Sequence, residues 1–460
     1  TILPSRSSNP ALTPIHTLPL RASASSMAQV ALLTSGSRGD VQPYMWLADG
    51  LLRRGFKVRF ATHCNFESFL NATLAKYGPA FEFIAMQANS EELAQSDAFH
   101  RAVRKGGMLR LARVMKDSGK KHIPETEETL INISQGADVI IATSLHQVDC
   151  MMVAKEVGAL YVSVVLQPMA ECRDYSLIGA FKIKLFNRLA TRFLQVTMRK
   201  SDMVKQLQLR DLKHPKVPSY KDIKSRLLLQ AFSPSFVPHH EDWSTETVHT
   251  VGYLLPHKDS HVEEGAQLAP EVEAFLSAGS PPLYIGFGSM PIPYPAAVED
   301  IINAAVDEMG LRVIFCQSWT RSVHVHREGK VLTVQSASHS LLLPRCCAAV
   351  HHGGAGTTAA SLSAGIPTII LPVILDQFLW VELVGRRGVG PRKTHPLRKI
   401  TARRFVPLLR EALDEGCINR AKELGTAMAD EDGVSKACDI IEAKLKEWKE
   451  DSGSHSLDKV

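Results

Sequence analysis

The stretch Val350-His351-His352-Gly353-Gly354-Ala355-Gly356-Thr357-Thr358 links a short apolar strand to a helix through a glycine-rich loop. The first turn of a helix carries backbone N–H groups without partners, and the helix dipole adds partial positive charge there. Such a junction binds anions well. We therefore predict a phosphate site in an α/β sheet, with Thr357 capping the helix and His352 supplying a further donor. A tight turn without a ligand is the alternative.

The next strand along the chain ends near a second pair of polar residues. Thr368-Ile369-Ile370-Leu371 is typical of a buried strand, and Asp376-Gln377 opens the helical pattern that follows. In parallel α/β sheets the carboxyl ends of the strands face the ligand crevice. Asp376 and Gln377 are therefore predicted to contact sugar hydroxyls near a phosphate held at Thr357. A helix N-terminal acid and a surface amide are the alternative interpretation.

Two more loops follow predicted strands, Thr34-Ser35-Gly36-Ser37-Arg38-Gly39-Asp40-Val41-Gln42-Pro43 and Gly286-Phe287-Gly288-Ser289-Met290. Both lie at strand carboxyl ends, from which they can point into one cleft from opposite sides. Asp40 is the only acid of the first loop and precedes the helix that Pro43 is expected to open, so it is a candidate general base. Helix capping is the alternative role for Asp40. An adhesion motif in Arg38-Gly39-Asp40 is disfavoured, because the triplet joins a strand to a helix of a packed domain.

Strand-like and helical segments alternate along most of the chain. This alternation predicts an α/β protein with two doubly wound, Rossmann-like domains that face each other, and the cleft between them is the expected site. The predicted divisions are a disordered leader over residues 1–26, an N-terminal domain over 27–240, a linker over 241–262, a C-terminal domain over 263–440, and a helix end and tail over 441–460.

Composition limits the classes of function. The net charge of +6 over 460 residues is small, and Lys and Arg are not clustered with aromatic residues, which argues against nucleic-acid binding. The eight cysteines lack CxxC and zinc-ligand spacing, which indicates a reducing compartment and no metal site. Apolar runs reach only about ten residues, too few to span a bilayer. We expect a cytoplasmic protein with, at most, peripheral contact with membranes.

The motifs resemble those of sterol-type UDP-glucosyltransferases, which belong to the inverting UDP-glycosyltransferase family. The resemblance covers roughly residues 28–400 and is strongest in five segments: Gly36 to Pro43, Arg59 to Phe66, Ile285 to Met290, His351 to Thr358, and Asp376-Gln377. It implies the two-domain GT-B fold with the active site in the interdomain cleft. It also implies UDP-glucose as the donor substrate, a small lipophilic acceptor, and no cofactor or metal ion.

The resemblance assigns roles residue by residue. Asp40 falls on the position of the catalytic base. The donor-binding positions are matched by Ser37, Arg38, Gly39, Ser289, Ala337, His339, His352, Gly354, Gly356, Thr357, Asp376 and Gln377, of which Ala337 and His339 match the segment that receives uracil and ribose. The start of the acceptor pocket is matched by His63, Asn65 and Phe66.

One segment departs from the pattern of the sterol enzymes. They carry a Pro-Trp-Thr-rich segment after the fifth strand, where this chain has Leu166-Gln167-Pro168-Met169-Ala170-Glu171-Cys172. The acceptor therefore stays open among sterol, triterpenoid, phenolic and polyketide hydroxyls. Two other functions also stay open: a UDP-sugar epimerase on the same fold, which would need no acceptor, and a non-catalytic nucleotide-sugar or lipid-binding module.

Overall fold

The structure is a computed structural model that describes residues 27–105, 108–176, 184–210, 216–256, 267–288, 294–317 and 323–457. The expected leader, residues 1–26, and the expected donor residue Ser289 lie outside the described residues. The described residues form two parallel sheets covered by helices, which confirms the predicted α/β architecture of two doubly wound halves.

The N-terminal half is built on a seven-stranded sheet. Its strands are β1 (Gln29–Leu33), β2 (Lys57–His63), β3 (Phe81–Met86), β4 (Val139–Ala142), β5 (Leu160–Val165), β6 (Leu227–Gln230) and β7 (Val248–Thr250). All neighbouring strands run parallel, in the order β3-β2-β1-β4-β5-β6-β7. The central strands are continuous apolar runs because helices cover both faces of the sheet.

Ten helices of the described residues accompany this sheet. They are α1 (Arg38–Arg53), α2 (Glu67–Leu74), α3 (Ser90–Gln95), α4 (Asp97–Lys105), α5 (Met108–Lys120), α6 (Ile123–Ser134), α7 (Gln147–Val157), α8 (Lys184–Met198), α9 (Asp202–Gln208) and α10 (Tyr220–Ser225). The expectation that Pro43 opens the first helix is wrong, because α1 begins at Arg38 and contains Pro43. The helix starts earlier because Asp40 accepts a hydrogen bond from the backbone N–H of Ser37 and so caps the first turn.

The C-terminal half repeats the design with a five-stranded sheet. Its strands are β8 (Leu283–Gly286), β9 (Val313–Cys316), β10 (Val331–Val334), β11 (Ala348–His351) and β12 (Thr368–Ile370), in the parallel order β10-β9-β8-β11-β12. Its helices are α11 (Pro270–Ser277), α12 (Pro295–Asp307), α13 (His339–Leu342), α14 (Ala355–Ser363), α15 (Gln377–Arg387), α16 (Ala402–Ala412) and α17 (Glu415–Ala429), followed by α18 (Gly433–Leu457).

The expected boundary between the N-terminal domain and the linker is too early. β7 pairs with β6 through Leu228 and Val248, so the N-terminal sheet extends to Thr250, ten residues beyond the predicted end at 240. Val248 and Thr250 are buried while His249 lies between them on the other face. The short strand was missed because Val248-His249-Thr250 alternates over too few residues to be recognised.

The expected division at residue 440 falls inside one helix. α18 runs through it as one helix and packs against α1 of the N-terminal half, where its buried apolar residues join the core. Gly50 permits the close approach, since a Cβ atom there would lie 2.4 Å from Cγ1 of Val434. Arg54, directly after α1, also pairs with Asp439 at 2.6 Å and with Glu442 at 3.0 Å. The last helix therefore fastens the C-terminal half to the N-terminal sheet.

Each sheet reverses its strand order at one point, between β1 and β4 in the first sheet and between β8 and β11 in the second. Ligands of doubly wound proteins bind beyond the carboxyl ends of the strands at such switch points. The loops that leave β1 and β11 run directly into α1 and α14. The topology thus places two helix N-termini, one from each half, at the two sites where ligands are expected.

Candidate active site

The loop before α1 and the loop before α14 approach each other between the two halves. A Cβ atom built on Gly356 would lie 4.0 Å from Cα of Gly39. Burial lowers the pKa of His339 to about 4, and the positive charge of Arg38 from the other half adds to that shift. The predicted donor residues of both halves therefore share one interdomain site.

His352 follows β11 and is buried. Its ring occupies the space above Gly354, where a Cβ atom would lie 2.6 Å from Nε2, and it also contacts Gly288, where a Cβ atom would lie 3.4 Å from Cε1. Burial lowers the pKa of His352 to about 4, so the ring is neutral at pH 7 and carries a single N–H. Among the described residues, Nδ1 has no hydrogen-bond partner. His352 can therefore offer one hydrogen bond to a ligand.

The neighbouring His351 has a different task. Its Nδ1 accepts a hydrogen bond from the backbone N–H of Gly353 at 3.0 Å, and its Nε2 lies 3.3 Å from the Ser361 hydroxyl. Gly353 has a φ of +92°, and a Cβ atom there would meet Ile370 at 2.7 Å. His351 therefore shapes the glycine turn from inside the core, and His352 is the histidine that remains for a ligand.

The expectation that Thr357 caps the helix is wrong. α14 begins at Ala355 with Gly354 as its N-cap, and no side chain caps it. The first ladder bond runs from the N–H of Thr358 to the carbonyl of Gly354 at 2.9 Å, so the N–H groups of the preceding residues lie outside the helical ladder. Thr357 is the third helical residue, and its hydroxyl lies on the turn that presents those donors.

Asp376 precedes α15 and carries a carboxyl group with altered acidity. Its Oδ2 accepts a hydrogen bond from Nε1 of Trp380 at 3.0 Å. Burial raises the pKa of Asp376 to about 6, and the negative charge of Asp40 from the opposite half adds to this shift. The carboxyl group of Asp376 is therefore mostly ionised at pH 7 and close enough to Asp40 to sense its charge.

Gln377 is buried, so the alternative of a surface amide does not hold. Its Oε1 accepts hydrogen bonds from the backbone N–H groups of Val373, at 2.7 Å, and Ile374, at 2.9 Å. Between them and Asp376, Leu375 has a φ of +52°, the single non-glycine residue with positive φ in the described part of the chain. Such strain gathers at functional loops. Gln377 therefore holds a strained loop and keeps its amide N–H groups for other contacts.

The segment predicted to receive uracil and ribose lies after β10. His339 opens α13, and its Nε2 lies 2.9 Å from the Tyr284 hydroxyl, with the two rings edge to face at 5.5 Å. Ala337 is half-buried against the same apolar cluster that contains Tyr284. Both residues are thus fixed at the carboxyl edge of the C-terminal sheet.

Asp40 has the helix-capping role that was considered for it. Its Oδ2 accepts hydrogen bonds from the backbone N–H and the hydroxyl of Ser37, at 2.7 and 2.9 Å, which caps α1. Gly36 is required beside it, since its φ is +133° and a Cβ atom would lie 2.5 Å from Oδ2. Although the side chain reaches solvent, desolvation by the surrounding protein raises the pKa of Asp40, and the bonds from Ser37 oppose that shift. Oδ1 is therefore the oxygen that can take a proton.

Arg38 and Gly39 complete the edge of the N-terminal loop. The Arg38 guanidinium stacks 4.6 Å above the ring of Phe69, and its Nε donates to Gln42 at 3.3 Å. A Cβ atom on Gly39 would meet only the Ser37 hydroxyl, at 3.7 Å. Arg38 is thus held against the N-terminal half with its charge near the donor segment, while the backbone at Gly39 stays open to approach.

The three predicted acceptor-pocket residues have unlike surroundings. His63 ends β2, and its Nε2 accepts a hydrogen bond from the backbone N–H of Gly36 at 3.1 Å; burial lowers the pKa of His63 to about 4. Asn65 is exposed, whereas Phe66 is buried in the N-terminal core. His63 thus supports the Asp40 loop from below, and Phe66 has a packing role.

A hydrogen-bonded chain at the first switch point was missed by the sequence analysis. The hydroxyl of Ser35, after β1, lies 2.9 Å from Nε2 of His146, after β4, and Nδ1 of His146 lies 2.9 Å from Oδ2 of Asp149. Asp149 is buried and His146 is half-buried. The motif His146-Gln147-Val148-Asp149, one helical turn after a predicted strand, was the available signal.

An apolar cavity of about 190 Å³ was also missed, because its walls come from both halves of the chain. Ala102, Val103 and Leu111 line it on the N-terminal side, and the loop from Pro372 to Leu375 lines it on the other. Tyr294 lines it as well and donates a hydrogen bond to the carbonyl of Val103 at 2.9 Å. The cavity adjoins Asp376 through Leu375.

Two features are absent from the described residues. No group of three or more His, Cys, Asp or Glu side chains in this part of the chain is arranged to hold a metal ion. None of the helices in the same residues is both long and apolar enough to cross a membrane.

Two family models match the chain, one in each half. The model described as the glycosyltransferase family 28 N-terminal domain matches residues 30–149. The model described as the erythromycin biosynthesis protein CIII-like C-terminal domain matches residues 305–436. The first match contains the Asp40 loop, and the second contains the His352 loop and Asp376.

Curated relatives include two sterol 3-beta-glucosyltransferases of Arabidopsis thaliana. One is 28% identical over 91% of this chain and 68% of its own length, and the other is 30% identical over 89% of this chain and 64% of its own length. The chain therefore spans about two thirds of the length of these relatives.

Solved structures share the fold. The glycosyltransferase of kitacinnamycin superposes with a TM-score of 0.64 and 17% sequence identity, covering 91% of this chain and 99% of its own. This likeness extends over both halves of the chain. The family models, the relatives and the fold together identify the chain as a nucleotide-sugar-dependent glycosyltransferase of the GT-B fold, with the N-terminal domain of family 28 and similarity to sterol 3-beta-glucosyltransferases.

Proposed function

We propose that the protein transfers glucose from UDP-glucose to a hydroxyl group of a lipophilic small molecule, with inversion at the anomeric carbon. The observation that carries the proposal is the meeting of Asp40 with the donor loop of the other half. Asp40 adds to the raised pKa of Asp376, and Gly39 lies against Gly356 across the interface. This contact supports the proposal, because an in-line displacement requires a base on one side of the sugar and the leaving diphosphate on the other.

The chemistry assigned to this arrangement needs a base on one side. Oδ1 of Asp40 takes the proton of the acceptor hydroxyl while that oxygen attacks the anomeric carbon. As the bond to UDP breaks, negative charge collects on the diphosphate. The N–H groups of the first turn of α14, the Thr357 hydroxyl and the neutral ring of His352 are fixed donors for that charge.

The donor sugar and base would be held by the remaining C-terminal residues. Asp376, ionised above a pKa of about 6, can accept hydrogen bonds from two sugar hydroxyls, and the amide of Gln377 can donate one. Ala337 and His339 lie where the uracil and ribose would bind. Ser289, outside the described residues, keeps its proposed contact with the diphosphate on the resemblance alone.

The apolar cavity beside Asp376 supports a lipophilic acceptor. Its lining is largely aliphatic and aromatic, and it lies on the interface that carries both Asp40 and the donor residues. The similarity to sterol 3-beta-glucosyltransferases makes sterols the first class to test, and triterpenoid and phenolic hydroxyls the next.

We further propose peripheral contact with a lipid surface through α8, for a protein of the cytoplasm. Leu185, Phe186, Leu189 and Phe193 are all exposed on one side of this helix, with Phe193 74% exposed. The helix also carries three cations and no acid, which is the composition of interfacial helices. The fraction of protein that sediments with anionic vesicles should decrease in the double variant F186S/F193S. It should stay unchanged in the control L209S, which changes an exposed leucine outside α8. Equal sedimentation of both variants would contradict the proposal.

The test of the main proposal is mass spectrometry of products from UDP-glucose and a panel of sterol, triterpenoid and phenolic alcohols. We expect a mass increase of one hexose on an acceptor, with release of UDP and the β-configuration from α-linked donor. A changed sugar without acceptor would favour the epimerase. Binding of UDP-glucose without any product across the panel would favour the non-catalytic module.

A further inference from the structure

Polar side chains gather at the carboxyl ends of β1, β4 and β5, beside the proposed base. This polar cluster consists of Ser35, Ser144, His146, Asp149 and Gln167. Besides the chain from Ser35 through His146 to Asp149, it contains a contact of 3.5 Å between Nε2 of Gln167 and the Ser144 hydroxyl. Three neighbouring strands thus contribute polar groups to the first switch point, where a ligand of this half is expected.

The direction of the hydrogen bonds follows from their end point. The carboxylate of Asp149 only accepts, so Nδ1 of His146 carries the proton, and Nε2 accepts from the Ser35 hydroxyl. The hydrogen of Ser35 is thus committed to His146, and the lone pairs of its oxygen remain for another donor. The buried Asp149 and the short bonds hold this acceptor in one orientation.

Ser35 lies close to the proposed reaction centre. It adjoins Gly36, where a Cβ atom would lie 2.5 Å from Oδ2 of Asp40. On the neighbouring strand end, Oγ1 of Thr143 is buried without a protein partner among the described residues. Buried polar groups of this kind normally have a water or ligand partner. The surroundings of the reacting hydroxyl are therefore polar on this side, although the interdomain cavity is apolar.

We propose that the polar cluster binds a second hydroxyl of the acceptor, on the carbon next to the one that is glucosylated. The preferred acceptors are then vicinal diols, catechols included, rather than molecules with an isolated hydroxyl. Gln167 fits this role, since it lies in the segment that departs from the sterol enzymes and places an amide beside Ser144. The inference rests on the proposed transfer reaction and names its acceptor class more narrowly.

The experiment compares a vicinal diol with the mono-ol of the same ring skeleton, both as glucose acceptors. We expect the wild-type kcat/KM to be about tenfold higher for the diol, the effect of one hydrogen bond. In S35A and H146Q the preference should fall below about threefold, while kcat with the mono-ol stays within about twofold of wild type. L145A, a change at the exposed neighbour of His146, is the matched control and should keep the full preference.

Three results would overturn the inference. Two of them are a wild type without any preference for the diol and an H146Q variant with an unchanged preference for it. The third is a loss of kcat of about 100-fold with both acceptors in H146Q, which would assign the His146 ring to proton transfer. A wild type that glucosylates neither compound, nor any panel member, contradicts the proposed function instead. In that case calorimetric binding of the same pair to S35A and wild type decides the inference, with equal diol affinities counting against it.

Discussion

The two switch points of this molecule have the same topology and opposite chemistry. At the first, the loops after β1 and β4 carry groups that accept protons or hydrogen bonds, among them Asp40, Ser35 and His146. At the second, the loop after β11 consists mostly of glycine and presents backbone N–H groups beside the neutral His352. We propose that the first site receives a proton and that the second receives negative charge.

The difference shows how one fold is divided between two tasks. Strand order and helix direction are equal in the two halves, so they cannot determine which half binds which substrate. The side chains at the strand ends make that distinction. In the loop after β11, residues 353 and 354 are glycines because a side chain there would collide with its neighbours. In the loop after β1, Ser35 and Asp40 supply oxygen lone pairs. A substitution at one switch point should therefore leave the proposed function of the other switch point unchanged.

The largest effect is expected from D40N. Replacing the carboxylate by an amide removes the base, so kcat should fall by about 10² to 10⁴-fold, while the KM for UDP-glucose changes little. Steady-state kinetics with a fixed acceptor measure both. Near-normal turnover in D40N would reduce Asp40 to a residue that caps α1.

A smaller loss is expected from H352A on the opposite side. Removing a fixed donor to the leaving diphosphate should lower kcat by about 100-fold. Because the change lies in the donor half, the ratio of kcat/KM between two acceptors should stay as in the wild type. A shifted acceptor preference would show that His352 contacts the acceptor, and the division between the switch points would then be incomplete.

The sequence was sufficient for the architecture because parallel strands buried on both faces leave a strong signal. The loop from His351 to Thr358 and the order of apolar runs predicted the second sheet correctly. Helix ends were predicted less well. The N-cap of α1 is Ser37, although Pro43 was expected to open that helix, and the N-cap of α14 is Gly354 rather than Thr357. Capping depends on backbone geometry that a residue type does not determine alone.

The site could be predicted only where its residues are neighbours along the chain. The pair Asp376-Gln377 was found in this way, although the burial of Gln377 and its bonds to the preceding loop were not. The link from Ser35 to His146 spans 111 residues and depends on the pairing of β1 with β4. The packing of α18 on α1 likewise needs a contact between the ends of the chain, which periodicity cannot reveal.

Glycine substitutions in the loop after β11 should separate two roles of its glycines: making room for the His352 ring and letting the diphosphate approach the backbone. G354A places a Cβ atom 2.6 Å from Nε2 of His352, so the ring must move, and we expect about a tenfold rise in the KM for UDP-glucose. G356A meets nothing closer than Gly39 at 4.0 Å in the free enzyme. A comparable rise in the KM for UDP-glucose in G356A would mean that the diphosphate itself lies against this backbone. A normal KM in G356A would indicate that the His352 ring makes the main contact with UDP-glucose in this loop.

The smallest effect concerns the acidity of Asp376. Burial and Asp40 raise its pKa to about 6, so the carboxylate gains a proton as the pH falls through that value and loses capacity to accept hydrogen bonds from the sugar. Between pH 7 and 5.5 the ionised fraction falls by about fourfold, and the KM for UDP-glucose should rise by a similar factor. D376N cannot titrate, so its KM should be high at both pH values and independent of pH. If wild type and D376N show the same pH dependence, the titrating group lies elsewhere, and the first candidate is Asp40 across the interface. A loss confined to kcat would support that assignment, because a protonated base slows the transfer without weakening the donor complex.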